Sequence, residues 1–126
     1  MRELTRAEEE VMQVLWKIKK GFVREVLDHF EEPRPAYNTI STIVRILQDK
    51  GFVDHKAYGR THEYYPVISK DEYSKSHLNN FVNNYFSNSF GKMVSFFAKE
   101  KKLNLKEMEE IMKLMEVEIK KQKTGK

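Results

Sequence analysis

The 126-residue chain contains no cysteine, which excludes disulfides, thiolate metal sites, iron–sulfur clusters and cysteine nucleophiles and suits a reducing compartment. No stretch approaches the ~18 consecutive apolar residues of a membrane-spanning helix. The opening Met1-Arg2-Glu3-Leu4-Thr5 runs into charge without an apolar signal core, so a cytoplasmic location is expected. Glycine and proline are scarce, at 5 and 3 residues. There is no phosphate-cradling glycine loop, no Gly-x-Ser-x-Gly elbow and no His-Glu-x-x-His pair. Ser74, Ser76 and His77 lie close together without an orienting acid. Neither enzyme activity nor a cofactor is therefore expected. Internal repeats and low-complexity tracts are absent too.

An excess of one charge is also missing from most of the chain. The formal charge is +4, yet residues 1–69 hold 11 basic and 11 acidic side chains, against 12 and 8 in residues 70–126. Lys120, Lys121, Lys123 and Lys126 crowd the very end. Net charge thus says little about partners, and any such argument must rest on where particular side chains point. With 40% hydrophobic residues a core can form, but a chain this short buries only about two-thirds of its unfolded surface, so a partner subunit would help.

Local patterns give an order of elements. Thr5-Arg6-Ala7-Glu8 is a capping box, followed by Val11, Leu15 and Ile18 on one helical face with Met12 and Trp16 at its edge. Trp16 is expected in the core, and Gly21 is expected to end this helix or its loop. A short helix spans about Phe22 to Phe30. After the breaker Pro33-Arg34-Pro35, a third runs from about Ala36 to Lys50, with Ile40, Ile43, Val44 and Leu47 inward and Gly51 as its stop. The period then becomes extended: Phe52–Lys56 and Thr61–Tyr65 flank Ala57-Tyr58-Gly59-Arg60, a hairpin signature closed by Pro66. With Tyr58-Gly59 as its two-residue turn, His55 and His62 lie opposite each other. Two imidazoles make at best half a zinc site, so no metal is expected.

Ser69-Lys70-Asp71-Glu72 caps a further helix, striped by Leu78, Phe81, Val82, Tyr85, Phe86 and Phe90 and interrupted at Gly91. Met93, Val94, Phe96 and Phe97 follow. Asn104-Leu105-Lys106-Glu107 caps a last helix with Met108, Ile111, Met115 and Ile119 on one side. The fold expected is mainly α with a small β-hairpin: an N-terminal winged helix-turn-helix over residues 1–69, then a C-terminal three-helix dimerisation region over residues 70–126.

In a helix-turn-helix the second helix of the motif presents its outer face to the DNA major groove. Here that face is Asn38, Thr42 and Arg45, with Thr39 and Ser41 alongside, and no acidic residue interrupts Asn38 to Arg45. Amide, hydroxyl and guanidinium groups suit base edges or phosphates, and threonine methyls suit thymine methyls. An ordinary amphipathic helix shows the same polar stripe to solvent; its place before the hairpin favours DNA. Lys56 and Arg60 on the hairpin suit phosphates or the minor groove, as do Arg24 and Tyr37 near helix starts. Phe81, Tyr85, Phe86, Phe90, Phe96 and Phe97, with Met108, Ile111 and Met115, are too apolar for the last helix to cover, which points to a homodimer. Two other classes stay open: a winged-helix adaptor that binds protein without reading DNA, and a regulator with a small molecule between its subunits.

These residues resemble a known family. Leu4-Thr5-x-Ala7-Glu8-x-x-Val11-Met12-x-Val14-Leu15-Trp16, Asn38-Thr39-Ile40-Ser41-Thr42-Ile43-Val44, and Gly51-Phe52-Val53 through Gly59-Arg60 to Tyr64-x-Pro66 are similar to motifs of the penicillinase-repressor family of transcriptional regulators (BlaI/MecI/CopY type). The aromatic Phe81–Phe86 segment and the closing helix resemble its dimerisation region. The resemblance implies a dimeric repressor on double-stranded, palindromic operator DNA, often of TACA/TGTA type, with Thr39 and Thr42 as reading threonines and Arg60 as the wing arginine. In the β-lactam branch it also implies a membrane sensor protease upstream. Three positions depart from the family. Its helix arginine usually falls at the place of Ile46, its cleaved Asn-Phe bond corresponds to Phe96-Phe97, and the paired cysteines of its copper branch are missing, so direct copper sensing is not expected.

Overall fold

Thr5 Oγ1 accepts the Glu8 N–H at 3.2 Å and Glu8 Oε1 accepts the Thr5 N–H at 2.9 Å, so the capping box satisfies two of the amides that a helix start leaves open. It begins α1 (Arg6–Ile18) in a computed structural model that describes residues 2–125. The helix stops at Lys19, which takes the left-handed φ of 76°, so of the two expected places Gly21 marks the end of the loop and not of the helix. Gly21 opens a short strand, β1 (Gly21–Phe22). A Cβ there would stand 2.8 Å from Ile18 Cδ1, so the bare backbone permits close packing. The second helix is correspondingly shorter than its pattern suggests: α2 covers Val23–Asp28.

After the prolines comes α3 (Tyr37–Asp49). It ends as expected at Gly51, whose φ is 84°. The Phe52 N–H donates to Leu47 O and the Gly51 N–H to Gln48 O, the paired bonds of a Schellman stop. Strands β2 (Val53–Tyr58) and β3 (Thr61–Pro66) follow, and the sheet order is β1-β3-β2, antiparallel throughout. Tyr58 pairs with Thr61, so the hairpin turn is Gly59-Arg60 rather than Tyr58-Gly59. Glycine takes the first turn position, where φ is +63° and a side chain would be strained. His55 therefore opposes Tyr64, and His62 opposes Ala57. The two imidazoles meet only diagonally, stacked with centroids 4.1 Å apart.

Val11, Met12 and Leu15 of α1, Val26 and Leu27 of α2, and Ile40, Val44 and Leu47 of α3 close the core with Phe52, Val53 and Tyr64. Trp16 is half-buried at its edge, where its Nε1–H donates to Ile68 O at 2.9 Å. Glu8 and Lys50 bridge α1 to the end of α3 through a 2.6 Å ion pair. Burial alone would raise the Glu8 carboxyl, but hydrogen bonds from Lys50 and Thr5, with the charge of Lys50, hold it below the ordinary carboxylate value.

The helix α4 (Lys70–Tyr85) starts at the Ser69–Glu72 capping box, with both bonds formed. Its Tyr73 is 8% exposed, packs on Phe52 and Trp16, and donates its hydroxyl to Glu9 Oε2 at 2.6 Å. Burial and then that carboxylate push its pKa well above the usual phenol range. The first compact unit accordingly reaches Leu78 instead of stopping at residue 69, and the second starts at Asn79.

In the second unit the break falls at Ser87 and Asn88, both with positive φ, and not at Gly91, which lies inside α5 (Phe90–Lys99). Ser89 caps α5 through its Oγ, and Asn104 and Glu107 form the capping box of α6 (Leu105–Thr124). Phe86 and Phe96 have centroids 5.6 Å apart, with Phe81 and Phe97 against them. Even so, neither α5 nor α6 has a buried residue. No helix among the described residues is long and apolar enough to cross a membrane.

Candidate nucleic-acid interface

The helix α3 is anchored by Ile40, Val44 and Leu47, all fully buried. With 3.6 residues per turn, the opposite line is Asn38, Thr42 and Asp49, all exposed. Tyr37, Ser41 and Arg45 form one flank; Thr39 and Ile46 form the other. From Tyr37 to Gln48 the helix carries no carboxylate.

The flank of Tyr37, Ser41 and Arg45 borders a groove of about 550 Å³, closed on its other sides by Arg24, Arg60 and His62. Phe22, Val23 and Tyr64 also line it, and Glu25 is its one carboxylate. Oε1 of Glu25 is engaged, accepting the Phe22 N–H at 2.9 Å. The guanidinium of Arg24 stands over the Tyr37 ring, 5.4 Å from its centroid. Arg45 folds back along its own helix, its Nε donating to Ser41 O and its Nη2 to Ser41 Oγ, both at 3.3 Å. Burial raises the Tyr64 phenol despite the opposing charge of Arg45, so it is neutral at physiological pH. Three guanidiniums against one carboxylate give this concavity a positive rim, attractive to an anionic backbone.

Of the residues expected to touch DNA, Arg24, Tyr37, Ser41, Arg45 and Arg60 thus meet around one groove. Asn38, Thr39 and Thr42 are exposed along α3 but do not line it. Lys56 stands apart: it pairs with Glu63 across the hairpin and lays its Nζ over the Tyr58 ring at 5.4 Å. Ser41 is half-buried, the others exposed. Sequence reasoning missed His62 and Thr61 in the groove; the hairpin register would have revealed both. It also missed Gln48, whose Oε1 lies 2.8 Å from His55 Nδ1 and ties α3 to the wing. Among the described residues no three His, Cys, Asp or Glu side chains are placed to hold a metal ion.

The residues expected at a dimer interface are solvent-facing or half-buried. Tyr85 is 73% exposed, and Phe81, Phe90, Phe96 and Met115 are exposed as well, while Phe86, Phe97, Met108 and Ile111 are half-buried. Leu105, Met112 and Leu114 extend this uncovered apolar surface beyond the residues expected.

Three helices capped by a sheet whose hairpin stands beside the third helix define a winged helix-turn-helix protein. A chain of the hsRosR-S4 complex shares the fold, with a TM-score of 0.52 over 79% of this chain and 90% of that one at 16% identity. The methicillin resistance regulatory protein MecI of Mammaliicoccus sciuri is 26% identical over 114 residues, 90% of this chain and 93% of that protein. A penicillinase repressor of Bacillus licheniformis is 28% identical over 115 residues, 90% of each chain. The family model described as penicillinase repressor matches residues 4–117. The chain belongs to the penicillinase repressor family, as its motifs led one to expect.

Proposed function

We propose that this protein is a DNA-binding transcriptional repressor, acting in the cytoplasm as a homodimer on a palindromic promoter operator. Its α3 lies in the major groove. Asn38, Thr39, Thr42 and Arg45 address base edges; Ser41, Tyr37, Arg24, Arg60 and Lys56 hold the sugar-phosphate backbone. One observation carries this reading: the outer side of α3, which bears no carboxylate from Tyr37 to Gln48, is uncovered and adjoins a groove rimmed by Arg24, Arg45 and Arg60. The names of its relatives, a penicillinase repressor and a methicillin resistance regulator, support repression as the outcome. The uncovered apolar surface of α5 and α6 supports a second copy as its cover. Two copies would set two reading helices about one DNA turn apart. Membership of the family supports release by an upstream membrane sensor protease or its downstream signal.

The test is an anisotropy titration of the full chain against duplexes tiling its own promoter, at two salt concentrations, with a shuffled duplex of equal composition. Binding should favour one duplex with a two-fold symmetric sequence and fall steeply with salt. Equal affinity for the promoter and shuffled duplexes would refute the proposal and leave the protein-binding adaptor.

A further inference from the structure

The outer side of α3 carries an apolar strip that the core does not require. Thr39, Thr42 and Ile46 are exposed, and their spacing of three and then four residues puts them one above another on the helix. Ile46 has 38% of its surface in water and takes no part in the core, whereas neighbouring Ile43 packs against it. Isoleucine suits a solvent-facing helix position poorly. It is β-branched, a weaker helix former than leucine, lysine or glutamate, and it contributes no polar atom to that face. The guanidinium of Arg45 is turned onto Ser41, on the groove side of α3.

We infer that Ile46, together with the methyl groups of Thr39 and Thr42, determines specificity by packing on the 5-methyl group of thymine in the major groove. The inference rests on the DNA reading proposed above. Thymine alone among the bases presents a methyl group there; cytosine presents an amino donor at N4, and purines present acceptors at N7. A side chain without donors or acceptors discriminates in both directions. It removes the thymine methyl from water, and it leaves the amino group of a competing cytosine or adenine desolvated without a partner. The threonine hydroxyls stay free for neighbouring polar edges.

The experiment replaces single thymines by deoxyuridine, which deletes only the methyl group. A preferred duplex is first selected by the full-length wild-type protein from a randomised pool. Affinities of wild type, Ile46→Ala, Ile46→Val and Thr42→Val are then measured on the parent duplex and on each single-uracil duplex, after thermal melting has verified folding. At one thymine per half-site, uracil should weaken wild-type binding about fourfold, the worth of one buried methyl. Ile46→Ala should lose that sensitivity, Ile46→Val should keep part of it, and Thr42→Val, which retains a methyl, should keep its own. The inference is overturned if no uracil weakens wild-type binding, if Ile46→Ala retains the full sensitivity, or if Ile46→Ala binds every duplex more than about tenfold worse. Failure of the wild type to select any sequence instead overturns the DNA reading itself.

Discussion

Replacing Lys50 with methionine removes the cation that Glu8 holds at 2.6 Å while keeping a side chain of similar reach. The two side chains retain only 15% and 7% of their exposure, so the carboxylate left behind is largely desolvated. Exposed ion pairs contribute about 0.2–1 kcal/mol, whereas breaking a buried pair costs about 3–5 kcal/mol. The residual exposure of Lys50 puts the expected cost near the lower end, about 3 kcal/mol. At ~4–8 °C per kcal/mol for a unit of this size, the melting temperature at pH 7 should fall by more than about ten degrees. The sign with pH follows from the depressed Glu8 carboxyl. A group whose folded pKa lies below its unfolded value contributes fully above the unfolded value, about 4.5, and loses that contribution as pH falls through the folded one. Urea unfolding followed by circular dichroism at pH 7 and in steps below pH 4.5 should show wild type and variant converging towards acid. Adding Glu8→Gln should recover much of the loss, because no unpaired buried charge remains. A cost under about 1 kcal/mol, or a gap that does not narrow in acid, would refute the reasoning.

A fragment ending at residue 78 should fold close to the full chain's thermal stability, whereas one ending at 69 loses Tyr73 and should fall by about 3 kcal/mol in urea unfolding, as for a deleted core aromatic. In anisotropy titrations Arg60→Ala should weaken binding about equally on all duplexes and lower the salt slope by about 1. Arg45→Ala should cost about 1–3 kcal/mol and relax preference at one base position; a uniform loss would make Arg45 a backbone contact. Replacing Tyr85 or Phe96 with glutamate buries a charge in the proposed dimer contact, and sedimentation should show monomers at concentrations where the wild type is dimeric.

Helix starts were legible in the residues themselves. Thr5 with Glu8, Ser69 with Glu72 and Asn104 with Glu107 are side chains three apart that satisfy each other's amides, an interaction complete within one turn. The inward faces of α1 and α3, the left-handed stop at Gly51 and the family motifs were likewise readable, because periodicity reports which side seeks the core. Distant partners decided the rest. β1 is a strand only because Gly21 and Phe22 meet Tyr64 and Glu63. The turn at Gly59-Arg60 follows from pairing along the hairpin, and it moved His62 into the groove. Tyr73 extended the first unit through contacts with Glu9, Trp16 and Phe52. The basic groove itself joins residues from α2, α3 and the wing. A sequence pattern reports forces acting over a few residues of backbone, whereas register, groove and boundary depend on which distant surfaces pack, and those contacts exist only once the chain is folded.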